Sequence, residues 1–484
     1  MYIEHVLSGV LMNNIRTLAL FMLLSLSSTL AWSAEAKLST EDLTRLIDTA
    51  LSNNPELKSS QAKWQMFANK AKQASALEDP MFMFKLQNML AREPFVFNKD
   101  PQSAKVIGIS QQLPFWGKRA IKQEVANLEA ESYKWAIEER KLELARMVKK
   151  TYYQIWAVDK SMEIVDKNLR ILADFVTIAE SKYSVGQGVQ QDIYKANLEK
   201  SKMIDMQITL KQQRKSLEAN LNYLLYRPGN TPIGAVADFA LPQLALSAEQ
   251  LNQTALEKRP LIKSLASLTS KGQASHRLAQ KEFYPDFNLS FEYMFKEAIA
   301  TDMITDPGYN MFTLGVTFNL PFQQEKRHAM LAESTSETIM ATEELNGLKN
   351  TITYTINDTL AQLDRRKKLV ELYKGGIIPQ AEQSLESAVI SYRVNKVDFL
   401  TLLDGRMSLF TYERELYESQ AEYMMKLAQL EATVGSDLAP APAAQITTQP
   451  TAPEQPKTSV PLSPAEHAAP SAPAAPASEH SQHH

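Results

Sequence analysis

Two periodicities alternate along this chain. The positions Leu144, Val148, Thr151, Ile155, Val158, Met162, Val165, Leu169, Leu172, Val176, Ala179 and Tyr183 step by four and three, with no Gly or Pro between them. A seam of that kind predicts one coiled-coil helix. Counted from Lys118, the helix would run about 65 residues, roughly 100 Å at 1.5 Å per residue. A counterpart is expected over 324–392, disturbed by Gly375, Gly376 and Pro379. Nearer the C-terminus Leu402, Leu409, Leu416, Tyr423 and Leu430 recur every seven residues, and Leu400, Leu403, Met407 and Phe410 form a second stripe. Two stripes imply two helical neighbours, as in a ring rather than an isolated hairpin.

Elsewhere the period is two. Phe287, Leu289, Phe291, Tyr293 and Phe295 alternate with polar residues, and so do Phe312, Leu314, Val316, Phe318 and Leu320. Phe82, Phe84 and Leu86 repeat this opposite Lys85 and Gln87, followed by a further strand over about 105–113. Large apolar groups on one face for about ten residues is the pattern of a tilted membrane strand. An amphipathic hairpin on a soluble core would alternate in the same way, so other features must decide.

One of them is an internal repeat. Pro55 and Pro260 stand 205 residues apart, as do Pro80 and Pro285, each before a strand-like run. Leu113-Pro114-Phe115 and Leu320-Pro321-Phe322 close those runs 207 residues apart, and Tyr183 and Tyr392 open similar turns 209 residues apart. The offset drifts slowly and the order holds, which points to a duplicated half-subunit rather than a solenoid array.

Another is the address. Asn13-Asn14-Ile15-Arg16 precedes a short apolar run from Thr17 to Leu26, then small residues at Ala31, Ser33, Ala34 and Ala36. That is a secretory signal over about 1–34, too short for the ~20 residues that span a bilayer. The other end, 437–484, is Pro/Ala/Ser-rich, holding ten of the 23 prolines, and reads as a disordered tail. Between them lie a first repeat over 35–227, with strands at about 80–90 and 104–114 and long helices at about 118–182 and 189–227. A linker over 228–247 follows. The second repeat covers 248–436, with strands at about 285–296 and 309–321 and long helices at about 324–392 and 397–434. A net charge of −3, with no basic run, excludes a nucleic-acid surface, and the absence of cysteine excludes disulfides and thiolate metal sites.

Four strands cannot close a membrane barrel, and open edges in lipid would leave backbone polar groups unpaired at several kcal/mol each. The expected architecture is therefore mainly α with a membrane β part. Three chains would form a 12-stranded β-barrel, continued by a long α-helical coiled-coil barrel.

The duplicated plan, the Leu-Pro-Phe exits and the Tyr-x-x-Gly and Tyr-x-x-Asn turns resemble the TolC-like outer-membrane efflux proteins over roughly residues 40–435. Asp79-Pro80-Met81-Phe82-Met83-Phe84 and Ser110-Gln111-Gln112-Leu113-Pro114-Phe115-Trp116-Gly117-Lys118-Arg119 look most like the heavy-metal or cation branch. The resemblance implies a homotrimer in outer-membrane lipid, projecting into the periplasm. It would serve as exit duct for a periplasmic adaptor and an inner-membrane transporter of the RND type. Many relatives of that branch carry a lipidated N-terminal Cys, which this sequence lacks.

The same resemblance places adaptor contacts at two periplasmic turns, Tyr183, Gly186, Gly188 and Val189 in one and Tyr392, Asn395 and Val397 in the other. Glycine suits a tight turn, and Asn395 is the next best residue for a left-handed backbone. Asp404, with Asp398 nearby, matches the acidic constriction of the family; three-fold symmetry would make a ring of carboxylates that attracts cations. The neighbouring acid of many relatives is Thr401 here. A surface Asp404 paired with Arg406 or Lys396 is the plainer alternative. No catalytic motif, cofactor loop or His pair at ligand spacing is present, and the 19 methionines fall mostly at packing positions. A type I protein-secretion channel would share this fold, and a pore-less periplasmic coiled-coil scaffold would share the helices.

Overall fold

The computed structural model describes residues 41–244, 246–299 and 308–438. The expected signal segment and nearly all of the Pro/Ala-rich tail lie outside the described residues.

Each half opens on two short helices. In the first, α1 (Leu43–Asn53) is capped by Asp42, and α2 (Pro55–Ala74) by Asn54, whose side chain accepts from the amides of Glu56 and Leu57. Pro55 can start α2 because its missing N–H is one that a first turn leaves unbonded anyway. Strands β1 (Met81–Gln87) and β2 (Ala104–Leu113) follow, then α3 (Lys118–Ser184) and α4 (Gln190–Leu224). The second half repeats the order with α5 (Ala248–Lys258), α6 (Pro260–Lys281), β3 (Phe287–Phe295), β4 (Met311–Phe318) and a long helix that begins as α7 (Gln324–Leu372). A five-residue π-helical turn, Tyr373–Ile377, joins α7 to α8 (Ile378–Arg393), and α9 (Phe399–Val434) returns. Arg259 stands where Asn54 stands in the first half, and it caps α6 with no side-chain bond.

The π turn is the form the expected disturbance takes. Pro379 has no N–H to give the carbonyl of Gly375, and its ring would crowd that oxygen. The helix widens instead: the Ile378 amide reaches back to the Tyr373 carbonyl, a bond spanning five residues rather than four.

The four strands form one antiparallel sheet in the order β1-β2-β3-β4, so the central β2–β3 pairing joins the two halves. Helix α3 is a single element of 67 residues, about 100 Å long. Its seam residues Leu144, Val148, Thr151, Ile155, Val158, Val165, Leu172 and Ala179 are buried, and Tyr183 at its end is not. In α9 all of Leu402, Leu409, Leu416, Tyr423 and Leu430 are buried, as are Leu403 and Phe410 of the second stripe, whereas Leu400 is exposed.

Two cores result. One gathers Leu46, Val148, Ile155, Leu221, Leu251, Ile356 and Leu427 where the short helices meet the long ones. The segment between α4 and α5 is fastened there: Trp156 Nε1 donates to Asp238 Oδ1 at 2.9 Å, and the Tyr423 hydroxyl to the Pro242 carbonyl at 2.7 Å. The other core, with Val165, Leu172, Phe175, Met203, Phe399 and Leu402, runs toward the two helix–helix turns.

Candidate functional site: a strand sheet and two helical tips

Directly opposed residues of antiparallel strands share a face, so the register sorts every side chain. Phe82 pairs with Ile109, Ile109 with Phe291, and Phe291 with Leu314. Phe84, Ile107, Tyr293 and Phe312 form the next row. These two rows are apolar from β1 to β4, and on the same face of β2 they are flanked by Gln111 opposite Leu289 and Lys105 opposite Phe295. The other face carries Ser110, Ser290, Glu292, Thr313 and Thr317, with a Lys85–Glu292 ion pair of 3.5 Å. Gly108 lies between Met83 and Glu292 on that face, and a Cβ there would approach both within 3.1 and 3.2 Å. Strands β1 and β4 each have one edge that pairs with no other strand among the described residues.

Where the sheet meets the helices, one lysine ties the two halves together. Lys118 is buried, and its Nζ donates to Asp286 Oδ1 at 2.9 Å, Glu282 Oε2 at 3.2 Å and the Tyr284 carbonyl at 3.4 Å. Asp286 Oδ1 also accepts from the Phe115 amide at 2.7 Å. The sequence marked this stretch as a strand exit, a helix start and part of a family resemblance, but not as a junction between the halves. Its partners lie more than 160 residues away, and nothing local in the chain announces them.

At the far end of the helices the two turns lie side by side. Gly186 has φ +72° and its amide bonds the Tyr183 carbonyl; Asn395 has φ +60° and its amide bonds Tyr392 in the same way. Gly188 serves differently. Its φ is not left-handed, but a Cβ there would come within 3.1 Å of Lys182 Cβ. Val189 and Asp398 begin the returning helices α4 and α9. Val189 is exposed and Val397 half-buried.

The two tyrosines part company. Tyr183 is 48% exposed and Tyr392 only 6%. Tyr392 packs in the core on Phe399, with ring centres 5.8 Å apart, and Lys182, which the sequence did not single out, covers it further. Its Nζ donates to the Tyr392 carbonyl at 2.7 Å, bonds Asn395 Oδ1, and sits 4.1 Å from the centre of the Tyr392 ring. One ammonium thus joins the two hairpins. The only cue in the sequence is that Ser391 occupies the corresponding place in the second copy.

Acidic groups accompany the tips. Asp398 caps α9, its Oδ1 accepting from the Thr401 amide at 2.8 Å. Those bonds to Thr401 hold its carboxyl below the usual aspartate range. Burial pushes Asp192 up, helped by the nearby Asp398 charge. Asp404 is exposed on α9 and makes no ion pair among the described residues. The alternative partner Arg406 turns away: it is buried, with Nε donating to Asn168 Oδ1 at 2.7 Å and Nη2 lying 3.7 Å from Glu413. No group of three or more His, Cys, Asp or Glu residues able to hold a metal occurs among the described residues.

The sequence model for outer membrane efflux proteins matches the chain twice, over residues 46–225 and 251–436. This chain belongs to the outer membrane efflux protein family. The double match falls on the two halves that the sheet joins. Among curated relatives, the cobalt-zinc-cadmium resistance protein CzcC of Cupriavidus metallidurans is 23% identical over 298 residues, covering 61% of this chain and 68% of its own. The pyoverdine export outer membrane protein OpmQ of Pseudomonas putida is 22% identical over 338 residues, covering 68% of each. Among solved structures, the outer membrane protein VceC of Vibrio cholerae superposes with a TM-score of 0.67 at 17% identity, over 82% of this chain and 96% of that one. As a member of the efflux family, the chain is an outer-membrane exit channel for tripartite efflux pumps. The sheet supplies its membrane-embedded part and the helices its periplasmic extension.

Proposed function

We propose that three copies of this chain form one passive duct, with twelve strands closed into a barrel and the long helices closed into a tube beneath it. The observation that carries this is the open sheet. Its apolar face belongs in lipid, and there the free edges of β1 and β4 need partners that no other strand among the described residues supplies. Joining β1 of one copy to β4 of the next satisfies both, and twelve strands exceed the eight or so a small barrel needs. The duct works by conduction, without catalysis or a cofactor. Its tips at Tyr183, Gly186, Gly188 and Val189, and at Tyr392, Asn395 and Val397, meet a periplasmic adaptor that couples it to an RND-type inner-membrane transporter.

Metal cations are the proposed cargo. The relative from Cupriavidus is a cobalt-zinc-cadmium resistance protein, and an exposed Asp404, without an ion pair among the described residues, would from each of three chains place a cation-attracting ring near the periplasmic mouth. Asp398 is committed to capping α9, so the ring rests on Asp404. Mass measurement of the detergent-extracted oligomer tests the assembly. A species three times the chain mass is expected, and a water-soluble monomer would end the proposal.

A further inference from the structure

We infer that the junction of the sheet with α3 is a binding site for one phospholipid of the periplasmic leaflet. The inference rests on the sheet lying in the outer membrane. A cavity of about 660 Å³ opens there, walled by Leu77, Leu113, Pro114, Trp116, Phe287 and Leu289. That volume falls within the ~300–1,000 Å³ of typical small-molecule sites. Leu113, Phe287 and Leu289 belong to the face of the sheet that carries Phe82, Phe84 and Phe291. The cavity is therefore a recess in the lipid-facing surface and continuous with it, not a pocket of the duct interior.

Its polar end lies on the helix side. Ser75 lines that side together with Arg119, Ala120 and Gln123 on the first turns of α3. The Ser75 carbonyl accepts from Arg119 Nε at 2.9 Å and also from Nη2, while Nη1 has no acceptor among the described residues. A guanidinium held by a carbonyl at the rim of an apolar recess offers its remaining donors to phosphate in a fixed plane. Trp116 is 75% exposed beside the same opening and packs on Phe287 with ring centres 5.5 Å apart. Indole at the boundary between strand and helix marks the headgroup level of a bilayer. A soluble anion would use the arginine and leave the apolar wall wet; a hydrocarbon would use the wall and leave the arginine unmatched. A phospholipid matches both, with its phosphate at Arg119 and the start of one acyl chain against Leu113, Phe287 and Leu289.

The test uses the full-length protein in nanodiscs containing phosphatidylglycerol with a photoreactive diazirine on one acyl chain, with crosslinks mapped by peptide. Label should concentrate on peptides holding Leu113–Gln123 and Phe287–Leu289, above the level at Phe312–Phe318 on β4. Arg119→Gln should lower the cavity label by about tenfold, the equivalent of one charge-assisted hydrogen bond, and leave the β4 label unchanged. Ala120→Trp, which fills the recess and keeps the Ser75 bond, should do the same and decides the matter if Arg119→Gln does not assemble. Equal label at both places, or cavity label unaffected by either change, would reduce the contact to ordinary annular lipid and overturn the inference. Displacement by excess inorganic phosphate would overturn the lipid source in favour of a free anion. Loss of the β4 label in the unmodified protein would count against membrane insertion itself, a failure distinct from that of this site.

Discussion

At the scale of single residues, charge placement separates structure from function. Lys118 holds two partly buried carboxylates, and a buried pair that loses one partner leaves the other uncompensated. Lys118→Met should therefore destabilise the protein by about 3 kcal/mol, read as a lower midpoint of thermal or denaturant unfolding. Asp404 is the opposite case, exposed and without an ion pair among the described residues. Asp404→Ala should leave stability unchanged, raise single-channel conductance in planar bilayers and weaken block by divalent cations. Identical traces would end the proposal that Asp404 forms a cation-attracting ring. Legibility follows the same division. Asn395 could be picked out because a left-handed backbone leaves a mark on residue choice. Lys182 and Lys118 could not, since their roles depend on partners brought close only by the fold.

At the scale of elements, the long helices were readable because their seams repeat over many turns, and the strands because period two is hard to produce by chance. The π turn was legible only as trouble at Gly375, Gly376 and Pro379; its form depends on which carbonyl the Ile378 amide can reach. Pro379→Ala restores the amide that α geometry needs, so the wide turn should tighten with the same number of residues and rotate what lies beyond it by about 100°. Leu385 and Val389, which pack with Tyr392 against the core near the turns, would leave it; oligomers should persist while crosslinking to the adaptor falls sharply.

The tips should also answer to acid in two stages. Asp192 is raised by burial, so its ionisation opposes folding at neutral pH; relief begins as pH falls through that raised value. Asp398 is depressed, so its capping contribution is complete above the ordinary aspartate value and disappears as pH falls through the lower, folded-state one. Hydrogen exchange over 183–192 and 392–402 should first slow on mild acidification and then rise at stronger acid. Protection that declines steadily from neutral pH would contradict the assignment.

At the scale of the whole molecule, the duplication is legible in the sequence because landmark residues recur in the same order about 205 to 209 residues apart, and the family model matches each half. The sequence did not carry how the halves are fastened, by β2–β3 pairing on one side and by Lys118 at the junction. If the free edges find partners only in the assembly, barrel loss and subunit dissociation are one event. The melting temperature in detergent should then rise with protein concentration, with strand circular dichroism and oligomer mass lost together. A melt independent of concentration would separate the two.

The unequal tyrosines have a consequence for any protein that caps the duct. In the proposed trimer six hairpins would stand in a circle, but alternate hairpins differ: one presents an open phenol beside glycine, the other a shielded phenol beside asparagine and clamped by Lys182. Copies of one partner arranged around that circle would sit on two kinds of seat in strict alternation. Occupancy would then fill in two steps of unequal affinity, three copies at a time, even though every docking molecule is the same.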